Sequence, residues 1–352
     1  MRAIVASRPY RAVAGFAARL GDIDLIAPYY YFCNSEAFWA GFREAQDEYR
    51  GVRSMAPGPT RSGSPALPEL PPVSVVILTF NGGEVVRRSL DAILSQKIDA
   101  HVEVVLVDSG STDGTEKLDE TYDIRMVRIP NERFKYGYAR NLGFRSATGD
   151  FIATISQDFV PRDDCWLVNL VRPLASGADM VQGHALPPPE RRPFYWETRR
   201  FTFTREGREF RQRHNDFSLS CVNMATRREV WEQADFGDET PMSEDIFFQK
   251  GAFEKGFTKT IQAPQAVGYH GHTYSVGSLF RRCENEGLGW RSVGERYGFT
   301  DMLLDLGQPA SYAKLAIGLV TGKIRTVAEL LFIWIRPIAV LKGNRFNYAW
   351  KR

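Results

Sequence analysis

The chain has 352 residues, 43% of them apolar and 25% charged. That is the balance of a globular protein with a sizeable core, and it excludes a wholly disordered chain. The net charge of +3 says little about partners, but its distribution says more: from Ser311 to Arg352 eight basic residues (Lys314, Lys323, Arg325, Arg336, Lys342, Arg345, Lys351, Arg352) stand against one acid, Glu329, a local +7 that leaves everything upstream at −4.

Residues 1–55 mix aromatic and charged side chains, including Tyr29-Tyr30-Tyr31-Phe32 and an amphipathic run from Glu36 to Tyr49, and read as a small helical extension. Arg8, Arg11, Arg19, Asp22 and Asp24 break up the N-terminal region, so no signal peptide is expected. Residues 56–72 carry Pro57, Pro59, Pro65, Pro68, Pro71 and Pro72, the composition of a semi-rigid linker and a domain boundary. The pattern then changes. Val73 to Leu78 is β-branched and almost continuously apolar, as a strand buried on both faces should be. Asn81-Gly82-Gly83 breaks it and Glu84 to Gln96 reads as a helix. Val102 to Val107 is a second strand, closed by the polar run Asp108 to Gly114, in which Ser111 or Thr112 can cap a following helix and Asp113 reads as a turn carboxylate. Ile124 to Ile129 is a third strand, Gly137 to Ala147 a helix, and Phe151 to Ile155 a fourth strand running into Ser156-Gln157-Asp158. Strands alternating with helices predict an α/β fold with a doubly wound, mostly parallel sheet, whose ligands sit beyond the carboxyl ends of the strands. The four cysteines (Cys33, Cys165, Cys221, Cys283) share no metal-ligand spacing and suit a reducing compartment. No stretch reaches the roughly 18 apolar residues of a spanning helix.

No G-x-G-x-x-G follows the first strand and no G-x-x-x-x-G-K-[ST] occurs anywhere, so the usual dinucleotide and triphosphate cradles are absent. Instead the chain carries VSVVILTFNGG, VEVVLVDSGSTDGT, ARNLGFRSATGDFI and ISQDFVP in that order, then MSEDIFF and VGYHGHTYS. Over roughly residues 72 to 296 this combination resembles the family 2 glycosyltransferases, and SQD with H-x-H-x-Y-S most resembles their bacterial rhamnosyltransferase branch. The resemblance implies a GT-A type fold with helical N- and C-terminal extensions. It divides the chain into the extension 1–55, the linker 56–72, a catalytic domain 73–300 (a nucleotide-binding half 73–160 and an acceptor half 161–300) and a basic amphipathic extension 301–352. It implies inverting transfer of a sugar from a nucleotide-diphosphate donor, deoxythymidine-diphosphate rhamnose in that branch, to a saccharide or lipid-linked saccharide of the cell surface. Rival readings are a transferase of the same fold using a uridine- or guanosine-diphosphate sugar and a non-catalytic carbohydrate-binding scaffold. A nucleic-acid binder lacks any motif.

The residue types suit that chemistry. A carboxylate at a strand end, Asp108, can accept the imide N–H of a pyrimidine, with Thr79, Phe80 and Asn81 lining the same slot and Gln157 beside it. Arg140 on the next helix is placed to approach base or diphosphate through its planar fork. Asp158 is the metal candidate, for Mg²⁺ or Mn²⁺ bridging to phosphate oxygens. The family pattern usually offers two aspartates there; Ser156 stands in place of the first, which lowers the expected affinity. By the resemblance His270 completes the metal shell or contacts the diphosphate, and the pair with His272 favours it as the ligand. His272, two residues on, shares its side of an extended chain and is assigned to the acceptor. Asp245 is expected to be the base that deprotonates the acceptor, with Glu244 its neighbour, and a helix N-terminus should lower its pKa. Trp196, Arg199 and Arg200 in one stretch, and Arg281, Arg282 and Trp290 in another, fit either an acceptor groove or ordinary packing. The basic tail, with apolar residues from Leu315 to Ile335, reads as an amphipathic helix lying on an anionic membrane, which places the protein in the cytoplasm, peripheral on the inner face of the plasma membrane.

Overall fold

The computed structural model describes residues 70–196 and 219–346. The extension 1–55, most of the linker, Arg199, Arg200, Lys351 and Arg352 lie outside them.

Strand β1 (Val73–Thr79) is buried along its whole length, as its unbroken apolar run requires. It pairs in parallel with β2 (Val102–Asp108) on one side and with β4 (Phe151–Ser156) on the other, and β2 pairs in parallel with β3 (Arg125–Arg128). The helices α1 (Gly83–Leu94) and α2 (Tyr136–Ser146) make the crossovers β1–β2 and β3–β4. Alternate residues of the strands feed opposite faces: Val75, Ile77, Val104 and Leu106 pack with Val86, Leu90 and Ile93 of α1, while Val76 and Val105 pack with Phe144 of α2. This half is the doubly wound parallel sheet that the alternation of elements predicts.

The second half departs from that expectation. β5 (Val160–Pro161), β6 (Met180–Leu186), β7 (Asn223–Arg227) and β8 (Thr260–Tyr269) extend the sheet in the order β3-β2-β1-β4-β7-β6-β8-β5, with β4–β7, β6–β7 and β5–β8 antiparallel and β6–β8 parallel. α3 (Trp166–Ala175) covers one face, and α4 (Arg228–Gln233) and α5 (Glu244–Glu254) cover the other. The capping expectation also fails. The segment after β2 is only a 3₁₀ turn, Thr115–Glu120, with Gly114 at its start. Ser111 is spent elsewhere: its hydroxyl bonds Asp108 and accepts the Asn81 N–H.

The C-terminal region is three helices, α7 (Phe299–Leu306), α8 (Pro309–Val320) and α9 (Val327–Arg345), following the long α6 (Val276–Ser292). The apolar run Leu330 to Ile335 ends at Arg336-Pro337, but the helix does not: α9 continues through Pro337 to Arg345. The single amphipathic helix expected from the sequence is therefore split at Thr321–Thr326, where Thr326 and Glu329 form a capping box that starts α9. One side of α9 is interior: Phe332, Ile333, Arg336, Ala339, Val340 and Gly343 are buried. Arg336 pairs with Glu286 at 2.7 Å and Lys342 with Glu284 at 3.4 Å, both acids on α6, so these two cations of the tail face protein rather than lipid. The other side carries Val327, Leu330, Trp334 and Ile338 exposed in one stripe, and Trp334 meets Tyr312 of α8 at 6.1 Å between ring centroids. No helix among the described residues is long and apolar enough to cross a membrane.

The α6–α9 contact is close because it uses glycine. A Cβ on Gly343 would stand 1.8 Å from the Glu284 carbonyl oxygen, a backbone atom that cannot swing away. Gly343→Ala is expected to cost about 1–3 kcal/mol by overpacking and so to lower the Tm measurably. Gly277→Ala, where a Cβ meets nothing within 4 Å, is the control and should leave the Tm unchanged.

Candidate active site

The carboxyl ends of β1 and β2 form one corner. Gln157 closes it by accepting the Thr79 hydroxyl and the Phe80 N–H, both at 2.9 Å. Asn81 adopts a left-handed backbone (φ 47°), its N–H donates to Ser111 Oγ at 2.8 Å, and its side-chain oxygen accepts the Thr112 N–H at 2.9 Å. Asp108 sits at the strand end as expected but is only 2% exposed. Its carboxylate accepts the N–H groups of Gly110 and Ser111 and the Ser111 hydroxyl. Asp108 therefore shapes the Gly110–Thr112 loop, and the exposed groups of this corner are Asn81, Gly110 and Thr112.

The second corner holds Asp158, His270 and His272, each offering one ligand atom within 4.8 Å of the others. The β5–β8 pairing creates it. Val160 faces Tyr269 and Pro161 faces Gly268, which brings the turn that carries Asp158 beside the segment that leaves β8 at His270. Gly268 permits the approach, since a Cβ there would lie 2.1 Å from the ring of the buried Phe159. His270 Nε2 stands 3.4 Å from Asp158 Oδ1, and His272 Nδ1 3.6 Å from Asp158 Oδ2. Burial opposes ionisation of Asp158, but the hydrogen bond and charge of His270, the charge of His272 and the Ser156 hydroxyl outweigh it and bring the carboxyl down to about 2. Burial, then the charge of His270, lowers His272 to about 4. At neutral pH the corner thus presents a carboxylate and a neutral imidazole at His272, the forms in which such groups bind metal. His272, assigned from the sequence to the acceptor, stands 3.6 Å from Asp158 Oδ2 and within reach of the same cation.

The third corner is the N-terminus of α5. Glu244 is buried and its Oε1 accepts from Arg140 at 3.1 Å. Arg140 also donates to Thr154 Oγ1, and that hydroxyl donates to the Val76 carbonyl at 2.9 Å. Arg140 is 3% exposed and its charge is committed to Glu244, so it is not the open donor-facing arginine expected from the sequence. Asp245 is half-buried; one oxygen accepts the Ile246 N–H at 2.9 Å and the other the Cys221 N–H at 3.4 Å. Burial and the neighbouring Glu244 push its pKa up to about 7, against the two N–H bonds and Arg140. The lowering expected from the helix N-terminus is overturned, because desolvation and a like charge outweigh the dipole. Ser243, just before it, has φ 64°. With Asn81 it is one of two non-glycine residues at positive φ among the described residues, and such strain of about 1–3 kcal/mol each gathers at functional sites.

Arg140 joins the corners. It ties Glu244 to Thr154 of β4, the strand that ends in Ser156-Gln157-Asp158, so all three corners meet the carboxyl ends of the parallel strands. Asn141, unremarked in the sequence, fixes the approach to α5: it donates to Asp238 and accepts from Trp231 Nε1 and Phe236 N–H. The RN of ARNLGF was the signal for both. The two aromatic stretches resolve differently. Trp196 is 2% exposed, stacks on Phe332 of α9 at 5.2 Å and donates to the Glu329 carbonyl, so it is packing and not an acceptor wall. Trp290 packs edge-on to Tyr297 under Arg336. Arg281 lies exposed on α6, with no contact that ties it to the corners.

The architecture, a mixed sheet whose parallel half ends in these corners, is the GT-A α/β fold. The same fold is seen in the mannosyltransferase PcManGT from Pyrobaculum calidifontis, solved in complex with GDP-Man and Mn²⁺: the TM-score is 0.55 over 96% of this chain and 99% of that one, at 19% identity. Residues 74–234 match the family Glycosyl transferase family 2. Glycosyltransferase AglE of Haloferax volcanii is 27% identical over 57% of this chain and 67% of its own length. O-antigen chain rhamnosyltransferase WbaN of Salmonella anatum is 24% identical over 62% of this chain and 72% of its own. The protein is a glycosyltransferase, and the segment 74–234 is its family 2 domain.

The elevated Asp245 has a consequence for folding. Its folded value near 7 lies above the ordinary 3.8. The stability it contributes is therefore complete below about pH 4 and is lost as pH rises through 7. Asp245→Asn removes that loss. Relative to the wild type it should gain on the order of a few kcal/mol between pH 4 and pH 8, read from denaturation midpoints. A difference that does not change with pH would contradict the assignment.

Proposed function

We propose that the protein transfers a sugar with inversion, by a single displacement, from a nucleotide-diphosphate donor to a saccharide or lipid-linked saccharide acceptor in cell-surface polysaccharide synthesis, with deoxythymidine-diphosphate rhamnose as the preferred donor. One observation carries the reaction type: through Arg140 and β4, the basic carboxylate of Asp245 and the Asp158–His270–His272 cluster meet the ends of the same parallel strands. In this reading Asp245 takes the proton of the acceptor hydroxyl as that oxygen attacks the anomeric carbon. A pKa near 7 suits a base working at neutral pH better than an ordinary carboxylate does. Thr79, Phe80, Asn81 and the loop ordered by Asp108 hold the base, and Gln157 fixes the slot. Asp158 with His270 holds a divalent ion, Mn²⁺ or Mg²⁺, which neutralises charge on the departing diphosphate. The donor preference rests on the SQD and H-x-H-x-Y-S motifs and on the similarity to the Salmonella rhamnosyltransferase.

A panel of deoxythymidine-, uridine- and guanosine-diphosphate sugars, scored by binding and by turnover, tests the donor; preference for a guanosine donor would overturn it. Asp245→Asn should lower turnover by about 10²–10⁴ while donor affinity stays near wild type. In the wild type, kcat/KM should fall as pH drops below about 7. Turnover unchanged in the variant removes Asp245 from the role.

The acceptor class is supported by the outer surface of the C-terminal helices. Tyr312, Ile317, Leu319 and Val320 of α8 are exposed beside Val327, Leu330, Trp334 and Ile338 of α9, in the segment that carries the basic excess. We propose that this surface seats on an anionic membrane, apolar residues inward. Val320→Asp with Trp334→Asp in the full chain should abolish co-sedimentation with anionic vesicles, and neutral vesicles should bind the wild type poorly. Equal sedimentation of variant and wild type would refute it.

A further inference from the structure

We infer that His272 is a third ligand that takes the place of the missing first aspartate, so that the centre is a two-imidazole, one-carboxylate site selective for a late divalent transition ion over Mg²⁺. The inference rests on the reading that a divalent ion sits at Asp158, and it goes further by naming the ligand set and the class of ion.

The geometry sets the two imidazoles around one carboxylate. Asp158 offers its two oxygens in two directions, Oδ1 towards His270 and Oδ2 towards His272, at 3.4 and 3.6 Å. The imidazole rings stand 86° apart with centroids 4.5 Å distant, so their nitrogens approach from different sides rather than stacking. One ligand atom from each of the three side chains lies within 4.8 Å of the others, close enough for small side-chain movements to gather them around one cation. The side chains of Asp158 and His272 are 29% and 39% exposed, so one side of the centre is open and coordination positions remain for water or phosphate oxygens. The β5–β8 pairing and the close approach of Phe159 to Gly268 bring the two segments together with no ligand bound.

The donor set decides the ion. A site with two aspartates carries two negative charges and only oxygen donors, which suits Mg²⁺, a hard ion that binds oxygen and gives up water reluctantly. Ser156 removes one of those charges, and two imidazoles supply nitrogen instead. Imidazole favours the later first-row ions, and affinity for such donors rises along the series from Mn²⁺ through Co²⁺ to Ni²⁺. The substitution of Ser156 for the aspartate thus changes the metal preference of the centre as well as lowering its charge.

Co²⁺ is the probe, because its visible ligand-field absorption reports nitrogen ligation directly and needs neither donor nor turnover. The full-length protein, stripped with chelator and free of nucleotide, should bind one Co²⁺ per chain and keep it in about a hundredfold excess of Mg²⁺. His272→Ala and the size-matched His272→Gln, both checked for unchanged circular dichroism, should weaken Co²⁺ by at least about tenfold and shift the absorption band. Asp158→Asn should weaken it as much or more. Wild-type affinity in both His272 variants, with Asp158→Asn still impaired, overturns His272 as a ligand and leaves the Asp158 centre standing. Displacement of Co²⁺ by an equal concentration of Mg²⁺ overturns the selectivity. Unchanged Co²⁺ binding in Asp158→Asn places the ion elsewhere and overturns the centre and the inference together.

Discussion

The buried ion pair between Arg140 and Glu244 is the constraint on which the site depends. Two acids adjacent in sequence, Glu244 and Asp245, enter the same enclosed region at the start of α5, and burying two such charges without compensation is costly. Arg140 compensates one of them, and its geometry assigns it to Glu244 at 3.1 Å, with its other nitrogen held by Thr154. For Asp245, burial and the like-charged Glu244 outweigh its two N–H donors and the charge of Arg140, which is why its proton is held so tightly. A single arginine thus does two things. It makes the burial of Glu244 tolerable, and by going to Glu244 it leaves Asp245 as the group with an elevated pKa.

The same pair fixes distances. Thr154 lies two residues before the end of β4, and β4 runs directly into Gln157 and Asp158. Because Arg140 grips Thr154 from one side and Glu244 from the other, the start of α5 cannot move without pulling on the strand that presents the metal corner. Asn141, the next residue of α2, grips the loop before α5 from below through Asp238 and Phe236. Gly137 brings that loop against α2: a Cβ there would stand 1.9 Å from the Gly237 carbonyl oxygen. One turn of α2 thus adds a side-chain tie between the parallel and the mixed half of the sheet to the β4–β7 ladder that already joins them.

The parallel half of the fold was legible in the sequence because its central strands, β1 and β4 above all, are buried and read as nearly unbroken apolar runs with glycine nearby. The mixed half was not. β5 is two residues long, and β6 and β8 carry intermediate and exposed positions that blur any period. Among the site residues, position was legible and partnership was not. Asp108, Asp158, Glu244 and Asp245 stand at element ends where a sequence pattern can place them. Whether Asp108 turns inward to its own loop, or His272 turns to Asp158, depends on contacts between residues 3 to 114 positions apart. The pKa of Asp245 was misjudged for the same reason. The helix terminus is visible in the sequence, but the burial that overrides it is not.

The C-terminal helices belong to this mechanics as well. Phe332 of α9 meets Phe194 at 5.8 Å and Trp196 at 5.2 Å, Phe194 meets Tyr274, and Tyr274 meets His272 at 5.7 Å. Arg191 bonds the Gly271 carbonyl and the Thr273 hydroxyl, the two neighbours of His272 in the chain. Glu329, wholly buried at the start of α9, accepts the N–H groups of Tyr195, Arg325 and Thr326 and pairs with Arg192. The segment from Arg191 to Trp196 is thus held by α9 on one side and holds the histidine loop on the other. A charge as thoroughly bonded as Glu329 is expensive to disturb, since each buried N–H left without its acceptor costs about 1–3 kcal/mol. The exposed stripe of α9 is the outer side of the same rigid helix. Its position relative to Asp158 and His272 is set by packed rings and buried hydrogen bonds, so the stripe and the Asp158 corner are held at a fixed distance and angle to each other.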